Sequence, residues 1–143
     1  MRAADRSGPI VLYDGVCALC NAVIRFVLAR DRGRVFRFAS LQGELGRAVL
    51  ARHARSPDDL ATVVVVTGAG QPDERLLERS EAVLFILARL NAAWPLAARL
   101  ARAVPRAVRD WTYDRIARRR YEVFGRYDVC PLPAPEHRSR FLQ

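Results

Sequence analysis

The stretch Pro9-Ile-Val-Leu-Tyr-Asp-Gly-Val-Cys-Ala-Leu-Cys-Asn21 decides how the rest of the chain is read. Pro9 to Tyr13 is a short apolar run closed by Asp14-Gly15, the pattern of a strand that ends in a turn. From Cys17 to Arg30 the apolar residues Leu19, Val23, Ile24, Phe26, Val27 and Leu28 recur close to the 3.6-residue helical period. The expected unit is strand, turn and helix, with Cys17 and Cys20 on the first helical turn and Gly15 supplying a positive φ.

A Cys-x-x-Cys delivered to a helix N-terminus has a direct chemical meaning. Unpaired backbone N–H groups and the helix dipole favour negative charge there, so a thiol in that place ionises below its reference pKa of about 8.5. Three residues on, the second sulfur is near enough to displace whatever has bonded to the first. Cys17, on the more exposed side of the turn, is expected to be the attacking thiolate, and Cys20, one turn deeper, the resolving thiol. Asp14 is the third candidate catalytic residue: a carboxylate near the pair could accept the proton of Cys20, and it would also oppose ionisation of Cys17. A plainer role for Asp14 is turn or helix capping, and two cysteines near a helix start can also be inert core residues.

Working outward, Val35-Phe-Arg-Phe-Ala39 alternates as a strand with one exposed face does, and Ser40 can cap a helix from Leu41 to about Arg52. Thr62 to Thr67 is β-branched throughout and suits a central strand covered on both faces. A glycine-rich turn then leads to an antiparallel edge strand from Glu74 to Leu77, after which Ser80 can cap a helix through Leu90. Beyond this the pattern is helical, from Trp94 to Val104 and, past Pro105, from Val108 to about Phe124. Tyr113, Ala117, Tyr121 and Phe124 form its inward stripe, and a proline-rich tail follows. The order β-α-β-α-β-β-α, with extra C-terminal helices, is that of a thioredoxin-like α/β fold built on a mixed four-stranded sheet. A single domain over residues 1–143 is expected, its core at about 8–92 and its helical extension and tail at about 93–143.

The chain has 143 residues, 51% of them apolar and 27% charged, enough hydrophobic material for one core. Its longest apolar runs, Ala82 to Ala88 and Leu60 to Thr67, fall far short of the ~20 residues a membrane span needs. With no signal-peptide pattern at Met1 to Ser7, a cytoplasmic location is expected. The net charge is +9, and all 24 basic residues are arginine, which fits a GC-rich genome. Nine of those arginines lie between Arg99 and Arg126, against Asp110, Asp114 and Glu122. The basic surface this creates could meet nucleic acid, anionic lipid or an acidic protein; a solvated face, with no specific nucleic-acid partner, is the simpler expectation.

Tyr13-Asp-Gly-Val-Cys-Ala-Leu-Cys-Asn21 resembles the signature of the DCC family of thiol-disulfide oxidoreductases, whose aspartate and two cysteines correspond to Asp14, Cys17 and Cys20. The likeness extends to Arg37-Phe-Ala-Ser-Leu-Gln42, the valine strand, Ser80-Glu-Ala82, Arg109-Asp110, Arg120-Tyr121, Cys130-Pro-Leu-Pro133 and Arg140-Phe141. It implies a thioredoxin-like fold and dithiol chemistry on a protein or low-molecular-weight thiol or disulfide, without a cofactor. One departure from the wider thioredoxin pattern is the absence of a proline directly before the third strand, Pro57 being the nearest.

Cys130 could be a further redox thiol or a half-buried one under the tail. A zinc site using Cys17, Cys20 and Cys130 with His53 or His137 has poor spacing, since structural sites use two close ligand pairs, so no metal is expected. The alternative to an enzyme is a binding module, either a metal-holding domain or a basic adaptor whose cysteines sense redox state.

Overall fold

The computed structural model describes residues 8–55, 63–126 and 135–142. Its centre is strand β1 (Ile10–Tyr13), every residue of which is buried. β1 pairs in parallel with β2 (Arg37–Ser40) and antiparallel with β3 (Val63–Thr67), so that Val11 lies between Phe38 and Val65. β4 (Arg75–Glu78) adds antiparallel to β3, and β5 (Phe141–Leu142) adds in parallel to β2. The sheet order is β4-β3-β1-β2-β5. Helix α1 (Ala18–Arg30) connects β1 to β2, and α2 (Glu44–Arg52) follows β2.

The two-residue period of the strands sorts the core into two layers. Val11, Tyr13, Phe38, Val63 and Val65 face one way and meet Cys20, Ile24 and Val27 of α1 together with Ala82 and Ile86 of α3 (Arg79–Leu87). Ile10, Leu12, Ala39, Val64 and Val66 face the other way and are covered by Leu41 and by Val49 and Leu50 of α2. The valine run lacks polar alternation because both of its faces are packed. The C-terminal helices are α4 (Trp94–Arg102), α5 (Arg106–Arg118) and the short α6 (Arg120–Phe124). Helices α4 and α5 pack on α3, and α6 packs on α1. Among the described residues no helix is long and apolar enough to cross a membrane.

The sheet has five strands, where the sequence pattern gives four. Two residues are too few to make a visible alternation, and β5 is held from outside its own pattern. Arg140, just before it, forms a buried ion pair with Asp31 and donates two hydrogen bonds, of 3.1 and 3.0 Å, to the carbonyl of Phe36. Phe141 then stacks on Phe38, ring centroids 5.2 Å apart. A second difference is the break at Arg119, which divides the expected helix at 108–124 into α5 and α6. No glycine or proline marks it, and its effect is to turn α6 back towards α1, leaving Phe124 half exposed instead of in the core.

The expected caps also move. The helix after Ser40 starts at Glu44 with Gly43 as N-cap, and Ser40 instead exchanges hydrogen bonds with Gln42. The N-cap of α3 is Glu78, while the Ser80 hydroxyl donates to Asp110 of α5 at 2.5 Å.

Candidate functional site

The junction of β1 and α1 is built from its backbone outward. Cys17 is the N-cap of α1, in extended conformation, and its Sγ accepts a 3.2 Å hydrogen bond from the Cys20 N–H. A sulfur therefore takes the place that a serine or aspartate oxygen holds in most caps. The Asn21 side-chain amide donates to the carbonyls of Gly15, at 2.8 Å, and Cys17, at 2.9 Å, which fixes the turn from inside the helix. Gly15 does not have the positive φ expected of it. Cys17 and Cys20 lie 2.8 Å apart.

Both cysteines are fully buried, at 0% exposure, so Cys17 is not on an exposed side of the turn. Both belong to the core cluster, and a segment from much later in the chain lies against the same turn. Residue Arg126 makes an antiparallel β-bridge to Cys17, and the Ala18 N–H donates to the Gly125 carbonyl at 3.2 Å. Gly125 ends α6 at φ +92° and ψ 175°, a conformation open essentially to glycine alone. Residues 125–126 thus form a strap across the helix start.

Asp14 ties that strap down. Its Oδ1 accepts from the Val16 N–H at 3.2 Å and from Gln42 Nε2 at 2.9 Å. Its Oδ2 accepts from the Tyr121 hydroxyl and, at 3.3 Å, from Arg120. The guanidinium groups of Arg120 and Arg126 stand over the Tyr121 ring, 4.5 and 5.2 Å from its centroid. Asp14 is accordingly both a turn residue, through Val16, and the floor of a network joining β1, the β2–α2 connection and α6.

These contacts set the protonation states. The Cys20 thiol donates a hydrogen bond to the Cys17 sulfur, which is the largest influence holding the Cys17 thiol below its ordinary value, at about 7. Burial opposes this, the Cys20 N–H supports it, and the charges of Asp14 and Arg120 act in opposite senses. Donating that proton, together with burial and the nearby negative charges, pushes Cys20 far above the ordinary thiol range. For Asp14 burial pushes the carboxyl up, but the donors Tyr121, Gln42, Val16 and Arg120 together leave it below its usual value. A carboxylate so held is a weak proton acceptor, and its charge disfavours both thiolates. The Tyr121 hydroxyl is pushed up by burial and by its bond to Asp14.

Cys20 also lines an apolar cavity of about 280 Å³, together with Leu19, Val23, Phe26, Val63, Ile86 and Tyr113, among others. His53 sits against Glu74, 2.6 Å away, within an exposed pairing that includes Arg52. Cys130 and Pro57 lie outside the described residues.

A profile of the DCC1-like thiol-disulfide oxidoreductase family matches residues 11–126, from within β1 to the strap. The chain belongs to that family. It is 43% identical to a chloroplastic DCC family protein of Arabidopsis thaliana over 87% of its own length and 69% of the relative's. It is 35% identical to the uncharacterized protein YuxK of Bacillus subtilis over 93% of each chain. No solved structure matches. The matched span includes Asp14, Cys17, Cys20, Gln42, Arg120 and Tyr121. The last three are site residues that spacing and periodicity do not single out. Periodicity puts Tyr121 in an inward stripe without giving it a partner, and Gln42 and Arg120 stand in stretches that the family resemblance points to.

Proposed function

We propose that the protein is a thiol-disulfide oxidoreductase of thioredoxin-like fold that cycles Cys17 and Cys20 between dithiol and disulfide. The observation that carries this is the asymmetry of the pair: two sulfurs in contact, one at a helix N-cap with its pKa drawn down to about 7, the other holding its proton. Nucleophile and resolving thiol need just that difference. The core order β1-α1-β2-α2-β3-β4-α3, with β3 antiparallel to β1, supports the fold reading.

In the reductive direction the strap at 125–126 first lifts from Cys17. The Cys17 thiolate attacks one sulfur of a substrate disulfide, forming a mixed disulfide and releasing the other sulfur as a thiolate. Cys20 then attacks Cys17 Sγ, the Cys17–Cys20 disulfide forms, and the second substrate sulfur departs with the proton that Cys20 gives up. Two electrons pass from the cysteine pair to the substrate. Oxidation of a substrate dithiol runs the same steps backwards. The substrate class is a protein or low-molecular-weight disulfide or thiol. Within this scheme Asp14 is a positioning residue: it holds Tyr121 and Arg120, and through them the strap, and its depressed carboxyl does not take the proton of Cys20.

The test is equilibration of the purified protein in glutathione redox buffers of graded ratio, with the free thiols counted at each step. A reversible two-electron transition that Cys17→Ser and Cys20→Ser each abolish is expected, between about −270 and −120 mV if it follows other dithiols of this kind. Cysteines that stay reduced across that range, or a stoichiometric metal bound through them, would refute it.

A further inference from the structure

The outer faces of α4 and α5 carry side chains of the wrong kind for water. In α4 the buried residue is Ala98, whereas Leu96 and Leu100 stand outside, Leu100 at 66% exposure. Amphipathic helices of soluble proteins turn their large apolar residues inward; here the alanine is inside and the leucines are outside. Exposed apolar residues follow in the chain, Val104 past the end of α4 and, beyond Pro105, Val108 and Trp111 of α5, the last 62% exposed. Trp111 is not needed for packing: the tryptophan that joins these helices to the body is Trp94, edge-on to Phe26 with centroids 4.9 Å apart.

Charge is distributed around this row in one sense only. Arg99, Arg115, Arg118 and Arg119 are exposed on the same two helices and at the end of α5. Of the nearby carboxylates, Glu122 of α6 is exposed and makes no ion pair among the described residues, and those of α3 and α5 are already engaged. Asp110 accepts from Ser80 and pairs with Arg106, Asp114 pairs with Arg79, and Glu81 takes both Arg102 and Arg109. Among the described residues no carboxylate lies within ion-pair distance of Arg99, Arg115, Arg118 or Arg119. The Arg115 guanidinium lies 5.2 Å from the Trp111 ring centroid, so an unpaired cation and an exposed aromatic share one spot.

We propose that the α4–α5 face docks on an anionic lipid surface. Leu96, Leu100, Val104, Val108 and Trp111 enter the boundary between headgroups and acyl chains, and Arg99, Arg115 and Arg118 meet the lipid phosphates. Aliphatic residues and a tryptophan interleaved with long cationic side chains match a membrane interface in both respects at once. A second copy of the chain would set arginine against arginine. A nucleic acid would satisfy the arginines and leave the leucines in water. Docking of this kind needs neither cysteine and holds whether or not the thiol chemistry above is correct.

Sedimentation with vesicles tests it, using phosphatidylcholine alone and phosphatidylcholine mixed with phosphatidylglycerol. The protein is expected to bind the mixed vesicles and not the neutral ones, with Trp111 emission shifting to the blue. Leu100→Glu and Trp111→Glu each remove large exposed groups and should weaken partitioning at least tenfold without altering the circular dichroism. Replacing Arg99, Arg115 and Arg118 together with glutamine should weaken it on the order of a hundredfold, since each basic residue near an anionic surface contributes about 1 kcal/mol. The double cysteine variant should bind as the parent does. Absence of binding to the mixed vesicles at low salt overturns the proposal. So does binding that Leu100→Glu and Trp111→Glu leave unchanged, which would be unspecific attraction of a cationic protein. Binding to polyglutamate or duplex DNA with no binding to vesicles assigns the face to an acidic macromolecule and also overturns it.

Discussion

Tyr121 donates a hydrogen bond to the carboxylate of Asp14, 107 positions earlier in the chain. The contact fastens the C-terminal helix to the turn that carries the cysteines, and several consequences can be measured.

Tyr121→Phe removes one of the donors that hold the Asp14 carboxyl below its ordinary value. A group depressed in the folded state contributes stability above its unfolded pKa, about 3.9 for aspartate, and loses it as the pH falls through the folded value. The variant should therefore lose about 1–3 kcal/mol at neutral pH, and its acid limb should be shallower than the parent's, so that the gap between the two narrows as the pH falls below about 3.9. Urea unfolding at a series of pH values reads both; superimposable acid limbs would mean that the hydroxyl does not support the carboxylate.

Asp14→Asn should separate the two effects a carboxylate has here. Its charge raises the Cys17 pKa, so neutralising it should move the Cys17 midpoint below about 7. The same change leaves Arg120 without its partner at 3.3 Å and should cost about 3 kcal/mol of stability. Ultraviolet thiolate absorbance against pH gives the midpoint. An upward movement would mean that Asp14 aids ionisation of Cys17 by some other route.

Gly125→Ala tests the strap. Nothing lies within 4 Å of an added Cβ there, so the penalty is conformational, about 1–3 kcal/mol at φ +92°. The strap should loosen and alkylation of Cys17 should become several-fold faster at any fixed pH, with the midpoint near 7 retained. An unchanged rate would show that the strap does not limit access.

What could be read from the sequence follows what is local. β1, the turn and α1 are specified within twenty residues by an apolar run, Asp-Gly and a helical period, and the structure has them there. The valine strand was equally legible, because a run without polar alternation has few other meanings. β5 was not, being two residues held by an ion pair to Asp31, and the break at Arg119 was not, having no glycine or proline to mark it. In the site itself, Cys17 and Cys20 stand out by spacing, but the backbone bridge from Arg126 to Cys17 joins residues over a hundred positions apart. Periodicity placed Tyr121 in an inward stripe, and in the structure its ring does face inward, towards Asp14; nothing in that pattern could say what its hydroxyl would meet.

Arg140→Ala should destabilise the fold by about 3–5 kcal/mol, because it leaves the Asp31 carboxylate buried without its cation and frees the Phe36 carbonyl. The measurement is thermal or urea unfolding. A loss below 1 kcal/mol would show that β5 is not held by this pair.

The central claim is that Cys17 attacks and Cys20 resolves, and mixed-disulfide capture tests it most directly. Each single variant is mixed with oxidised glutathione at neutral pH and the intact mass is followed in time. Cys20→Ser keeps a hydroxyl that can still donate to the Cys17 sulfur, so Cys17 should form a stable glutathione adduct that nothing in the chain releases. Cys17→Ser should form little or none, since Cys20 alone lies fully buried, and that burial and the charge of Asp14 still oppose its ionisation. Faster and more complete capture by Cys17→Ser than by Cys20→Ser would reverse the roles, and capture by neither would contradict the account.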